Sequence, residues 1–240
     1  MTAVKTRLWS LAILVTASFS LAHAAPAEAQ LAANERLQGT MEIDVGNGPV
    51  TMRSVATLID ADLGAKTAAR LKSAEGQKSL ADAKNRMQSS GSSAAGKVTA
   101  ADIQALADSS AGKTVYSSEA IHLKIINAYG ITLDAKAPDG SRAQLSMRLG
   151  DKNLSVQDAK FSYIPDAKRL TQEFVSPKKG DPVQVKIDKI ERVGDKGFAI
   201  SGSFTATNLG PGVLAKDLTG KSIAKASGRF DFQEVALRKN

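Results

Sequence analysis

The sequence predicts a mainly β protein, α+β overall, with an antiparallel β-sandwich or barrel in its C-terminal half, an N-terminal β-hairpin and an Ala-rich helical insertion. Three observations carry this. Beyond Gly112, apolar residues alternate at period two in one segment after another, separated by clusters of Gly, Pro, Asn and Asp. Asn47-Gly48 lies between two alternating runs, a strong short-range hairpin signal. From Asp60 to Gln88 the composition turns to Ala, Lys, Arg, Glu and Gln without a β-branched run, which favours helix.

The chain opens with Lys5 and Arg7, an apolar run from Leu8 to Ala22, and the small-x-small triplet Ala22-His23-Ala24. That pattern is a secretory signal peptide over 1–24, cleaved near Ala24, and it predicts a periplasmic or secreted mature protein of a bacterial envelope. The apolar run is shorter than the roughly 20 residues a membrane helix needs, and no second run follows, so the mature chain is expected to lack a membrane span. The chain contains no cysteine. It therefore has neither a lipid-modified N-terminal Cys nor a disulfide framework.

Residues 25–34, rich in Ala, are read as a flexible start. Residues 35–112 are read as the hairpin plus the helical segment. In the hairpin, Leu37, Met41, Ile43 and Val45 are expected to share one face. The helical segment carries few large apolar residues, among them Leu63, Leu71, Leu80 and Met87, so it can bury only a thin stripe. "SSGSSAAGK" at 89–97 reads as a linker. Thr99 and Asp102 then have the spacing of a capping box, which predicts a short helix carrying Ile103 and Leu106 to about Ala107.

Residues 113–240 are read as the antiparallel β domain. "IHLKIINAYGITL" is expected to place Ile121, Leu123, Ile125, Tyr129, Ile131 and Leu133 on one face and His122, Lys124 and Thr132 on the other. "RAQLSMRL" alternates through Ala143, Leu145, Met147 and Leu149. Val183, Val185 and Ile187 share a phase that slips at Ile190, which predicts a bulge. "GDKNLSV" at 150–156 and "GDKGFAI" at 194–200 form a weak repeat, read as two polar turns joining antiparallel strands. "ISGSFTA" at 200–206, "ASGRFDF" at 226–232 and "QGTMEI" at 38–43 each set a Gly two residues before a large apolar residue, hence on the same strand face. This spacing predicts that Gly202 and Gly228 lie inward within paired or neighbouring strands, as a sheet needs where it bends or where an aromatic ring from a neighbour lies across a glycine.

The residue inventory restricts the chemistry. After the signal segment only one histidine, His122, remains, so Ser-His-Asp, Cys-His and multi-His zinc constellations have too few members. No Walker, Rossmann, EF-hand, G-x-S-x-G or H-E-x-x-H pattern occurs. No catalytic residue, metal ligand or cofactor is assigned, and an enzyme is the minority reading. The only tryptophan, Trp9, lies in the signal segment, and the other aromatics fall mostly in inward phases. Single-stranded nucleic acid, which wants exposed aromatics interleaved with basic residues, is not expected as a partner.

Charge is uneven along the chain: residues after Lys113 carry twenty basic against fourteen acidic side chains, a net +6. Lys168, Arg169, Lys178 and Lys179 are the densest basic pairs and the candidates for an anionic ligand. The expectation is a non-enzymatic protein that binds an envelope component, such as an anionic envelope polymer, or another envelope protein. Two alternatives stay open at this point. One is a barrel-type carrier of a small apolar molecule, with space at Ala143, Gly202, Ala206 and Gly228; the other is a hydrolase built on two carboxylates.

Overall fold

The computed structural model describes residues 31–89, 99–166, 172–177, 180, 182–213, 215 and 218–238. The signal segment, most of the flexible start and nearly all of the 89–97 linker lie outside these residues. The chain runs β1 (Glu35–Asp44), β2 (Pro49–Leu58), α1 (Leu63–Lys72), α2 (Ala74–Ser89), α3 (Ala100–Ser110), β3 (Thr114–Tyr116), β4 (Glu119–Leu123), β5 (Ala128–Lys136), β6 (Arg142–Gly150), β7 (Val156–Ile164), β8 (Phe174–Val175), β9 (Val183–Arg192), β10 (Gly197–Pro211) and β11 (Ile223–Arg238). All eleven strands belong to one sheet in the order β3-β2-β1-β11-β4-β5-β6-β7-β8-β10-β9. Further pairings of β2 with β5 and of β10 with β11 bend that sheet into a partly closed ring. The N-terminal hairpin is thus part of the same sheet as the C-terminal strands, and residues 31–240 form one compact unit.

Alternation accounts for the core. Met41 and Ile43 from β1, Ile131 and Leu133 from β5, Leu145 and Leu149 from β6, and Phe198, Ile200 and Phe204 from β10 are all buried. Where the alternation fails, a bulge explains it. Leu37 pairs with Val55 and Gly39 with Ser54, so Gln38 is an extra residue in β1. The phase flips there, leaving Leu37 exposed and Gln38 buried, against the expectation that Leu37 joins the apolar face. The expected slip in β9 is also a bulge: Ser201 pairs with Lys189 and Gly202 with Ile187, leaving Asp188 as the extra residue.

Gln38 is where the ring is tied together. Its Nε2 donates to Ser118 O at 2.9 Å and Glu234 O at 3.2 Å, while its Oε1 accepts from the backbone N–H groups of Ser117 and Ser118 at 2.9 and 3.0 Å. One buried amide thus joins β1, β11 and the start of β4 with both donors and both acceptor lone pairs in use. Ser118 continues the network, its Oγ lying 2.8 Å from Ser54 Oγ and accepting from Asp134 N at 2.9 Å. Asp134 is itself held by Arg142, whose Nε donates at 2.9 and 3.0 Å to its two oxygens and whose Nη2 also bonds Oδ2. These bonds, more than charge alone, hold the Arg142 guanidinium above its ordinary pKa.

The glycines lie inward in paired strands as expected, and of the two reasons the spacing allowed, the covering ring is the one realised. Gly202 pairs directly with Phe230, Phe204 with Gly228, and Gly39 with Phe232. A Cβ on Gly202 would stand 2.8 Å from Phe230 Cζ, one on Gly228 2.7 Å from Phe204 Cε1, and one on Gly39 2.6 Å from Phe232 Cγ. Each glycine leaves the room that a neighbouring ring occupies. Space that an internal ligand could have used at Gly202 and Gly228 therefore holds phenylalanine.

The Ala-rich insertion forms two helices rather than one, α1 ending at Ser73, and α1 then packs on α3 through Gly64. α3 starts with the expected capping box: Asp102 N donates to Thr99 Oγ1 at 3.1 Å and Thr99 N to Asp102 Oδ2 at 2.8 Å. It extends to Ser110, three residues past the expected end.

"IHLKIINAYGITL" departs most from its sequence reading. It is two strands, β4 and β5, paired antiparallel through a 3-10 turn at Lys124–Ile126. Asn127 takes a left-handed conformation, φ 47°, and the chain reverses there. Ile121 and Leu123 consequently face outward over Gly130, Ile125 is 99 % exposed in the turn, and only Tyr129, Ile131 and Leu133 point into the core. His122 sits opposite Tyr129 and shares its inward face, not the outward one expected from continuous alternation.

Candidate functional site: a cationic cleft at one end of the ring

At the end of the ring where β4 turns into β5, β6 into β7 and β9 into β10, side chains far apart in sequence converge. The His122 ring stacks on Tyr129 with centroids 4.7 Å apart, and Tyr129 meets Phe198 edge to face at 5.0 Å. Arg192, the last residue of β9, lies over this aromatic group, its guanidinium carbon 4.9 Å from the Tyr129 centroid and 5.9 Å from that of Phe198. Its Nη2 donates to Tyr129 Oη and, at 3.4 Å, to Asp151 Oδ1. Asp151 Oδ2 also stands 3.5 Å from His122 Nε2.

The effect is to position a cation without consuming it. Two rings and two acceptors fix the guanidinium plane, yet the Arg192 side chain remains 52 % exposed. It opens on a cleft of about 390 Å³ that is also lined by His122, Lys124, Asp195 and Arg238. A planar fork of donors held in place, with two further cations beside it, suits a carboxylate or phosphate oxygen pair. Desolvation by the aromatic floor strengthens that attraction relative to open water.

No family model, curated protein or solved structure matches the chain. The site is therefore described by its own chemistry.

Lys168, Arg169, Lys178 and Lys179 lie outside the described residues. What the sequence reading missed was Arg192, together with its supports. A signal was present: Asp151 belongs to the first Gly-Asp-Lys turn, and Gly194 and Asp195 to the second. The two similar turns meet at the same end of the ring, one buttressing Arg192 and the other lining its cleft. Among the described residues no cluster of three or more His, Asp or Glu could hold a metal ion, and no helix is long and apolar enough to cross a membrane.

Proposed function

We propose that the protein acts by binding, outside the cytoplasm, and that its ligand presents an anionic group to the end cleft, as an anionic envelope polymer would. The observation that carries this reading is the Arg192 guanidinium, oriented by Tyr129 and Asp151 and still half exposed beside Lys124 and Arg238. The +6 balance of the chain after Lys113 adds a longer-range attraction for the same kind of ligand.

Neither alternative has a comparable feature in its favour. The inward glycines expected to make room for an apolar ligand are covered by rings. Glu119 and Asp158, two acids that line one hollow, belong to strands three positions apart in the sheet. At strand spacing that is about 14 Å, beyond the separation at which paired carboxylates hydrolyse glycosides. Glu42, Asp188 and Asp231 line another hollow, where a bond from Lys186 holds the Asp188 carboxyl below its ordinary pKa, the reverse of what a general acid needs.

The test is a titration of the full chain with lipopolysaccharide, with uncharged dextran as control. Affinity should fall at least about tenfold from 0.05 to 0.5 M salt, and a similar amount with Arg192→Gln, the loss of one charge-assisted contact. Binding indifferent to both would end the proposal. Weakening by K178E/K179E but not by Arg192→Gln would move the site to the basic pairs seen in the sequence.

A further inference from the structure

The outer face of β4 to β7 carries a second hollow, also of about 390 Å³, which shares Arg238 with the end cleft but not Arg192. Its geometry follows from register. Ile121, Gly130, Arg148 and Asp158 stand in one row across the four strands, and Glu119, Thr132, Ser146 and Lys160 in the next. Gly130 is the gap in the first row.

Backbone conformation does not call for this glycine. A Cβ there would meet only side-chain carbons, Ile121 Cγ2 at 3.3 Å and Leu123 Cδ1 at 3.6 Å, and its φ is not positive. Glycine inside a strand weakens it relative to alanine, so its presence here is a loss to the sheet. What it borders is a depression with Ile121 as an apolar wall and Arg148, Lys160 and Arg238 as cations around it.

Arg148 supplies the second, independent observation. Its Nε is buried and has no hydrogen-bond partner among the described residues. Asp158 is opposite it in register, yet the two form no ion pair among those residues. With Nε closed off from solvent and Asp158 not holding the side chain, the Arg148 charge is left to its terminal Nη groups beside the hollow that Arg148 lines.

We propose that the hollow beside Gly130 is a binding site for a small monocarboxylate with a short apolar tail, its carboxylate on Arg148 and its tail against Ile121. The end of a guanidinium, its two Nη groups, matches the two oxygens of a carboxylate. Arg148, Lys160 and Arg238 against Glu119 and Asp158 leave the lining one net positive charge, which a monoanion balances and a dianionic phosphate exceeds. Thr132 and Ser146 give the carboxylate further donors beside Arg148.

The experiment is an NMR titration of the full chain with hexanoate, hexyl phosphate and hexylamine. Hexanoate should give saturable shifts centred on Ile121, Gly130 and the Arg148 Nε–H, with Kd raised at least tenfold by Arg148→Met and by Gly130→Val. Arg192→Gln should leave those shifts unchanged, so this site and the end cleft fail separately. Equal shifts with hexylamine, binding insensitive to Arg148→Met, or hexyl phosphate binding as tightly as hexanoate would each overturn the assignment. Should Gly130→Val disturb the sheet, seen as shifts far from the hollow, the Arg148→Met titration decides alone.

Discussion

Two walls of the ring use glycine in opposite ways. On the wall made by β1, β10 and β11, Gly39, Gly202 and Gly228 face inward and each is paired with a phenylalanine across the strand. On the wall made by β4 to β7, Gly130 faces outward, touched only by the flexible side chains of Ile121 and Leu123, and borders a hollow. The first set exists so that large rings can pack where strands bend, and the sheet is the beneficiary. The second removes side-chain contact from a surface that could have been filled. The same residue type thus marks architecture on one wall and a recess on the other, and the direction of the missing Cβ tells them apart.

The arginine–aspartate pairs show the same division. Asp134 is 6 % exposed and receives three bonds from Arg142 and a fourth from Gln144. Asp151 is 31 % exposed and meets Arg192 through a single 3.4 Å contact. One pair closes on itself inside the network that joins the strands; the other leaves its cation facing a cleft.

Substitutions on the first wall should have the largest effect. Gly202→Val and Gly228→Val are each expected to cost about 3 kcal/mol or more, because both a ring and a neighbouring carbonyl must give way. The corresponding change on the second wall, Gly130→Ala, should fall within about 0.5 kcal/mol of the parent, since loss of glycine flexibility offsets a slightly tight contact. Urea unfolding compares the series, and equal costs on both walls would erase the distinction.

The paired acids come next. Asp134→Ala should cost about 2–3 kcal/mol, less than a fully buried pair because Arg142 is a third exposed, while Asp151→Ala should cost under about 1 kcal/mol. Thermal melts of the two variants read this directly, and a larger loss at Asp151 would make the end cleft structural.

The smallest effect lies outside both walls, in α3. Hydrogen bonds from Thr99 hold the Asp102 carboxyl below its ordinary pKa of 3.8. A depressed folded-state value means the contribution is fully present above the unfolded value and is lost as pH falls through the folded one. The Asp102 amide resonance should therefore hold its position at neutral pH and move only below about pH 4, and it should move at neutral pH in Thr99→Ala. A midpoint above the ordinary carboxylate value would contradict the capping geometry.

Much of this was legible because it is local. Alternation in β6 and β10, the Asn-Gly turn, the phase slip in β9 and the Thr99–Asp102 cap each depend on residues within a few positions of one another. The errors occurred where one unexpected residue changes the phase of everything after it: the bulge at Gln38, which exposes Leu37, and the reversal at Asn127, which turns Ile121 outward and His122 inward. Arg192 was missed for a different reason. Its partners Tyr129 and Asp151 lie 63 and 41 residues away, and no short-range pattern records that they will meet.

The sequence by itself determined the β architecture, the helical insertion and the glycine positions that aromatic rings would cover, since period-two burial and steric need are written residue by residue. Only the tertiary structure decided that the sheet would curl back on itself, that two Gly-Asp-Lys turns would reach one end, and that Gly130 would face a recess rather than a ring. Those outcomes depend on which strands pair and in what register, and pairing is set by the summed burial of the whole sheet, not by any one segment of it.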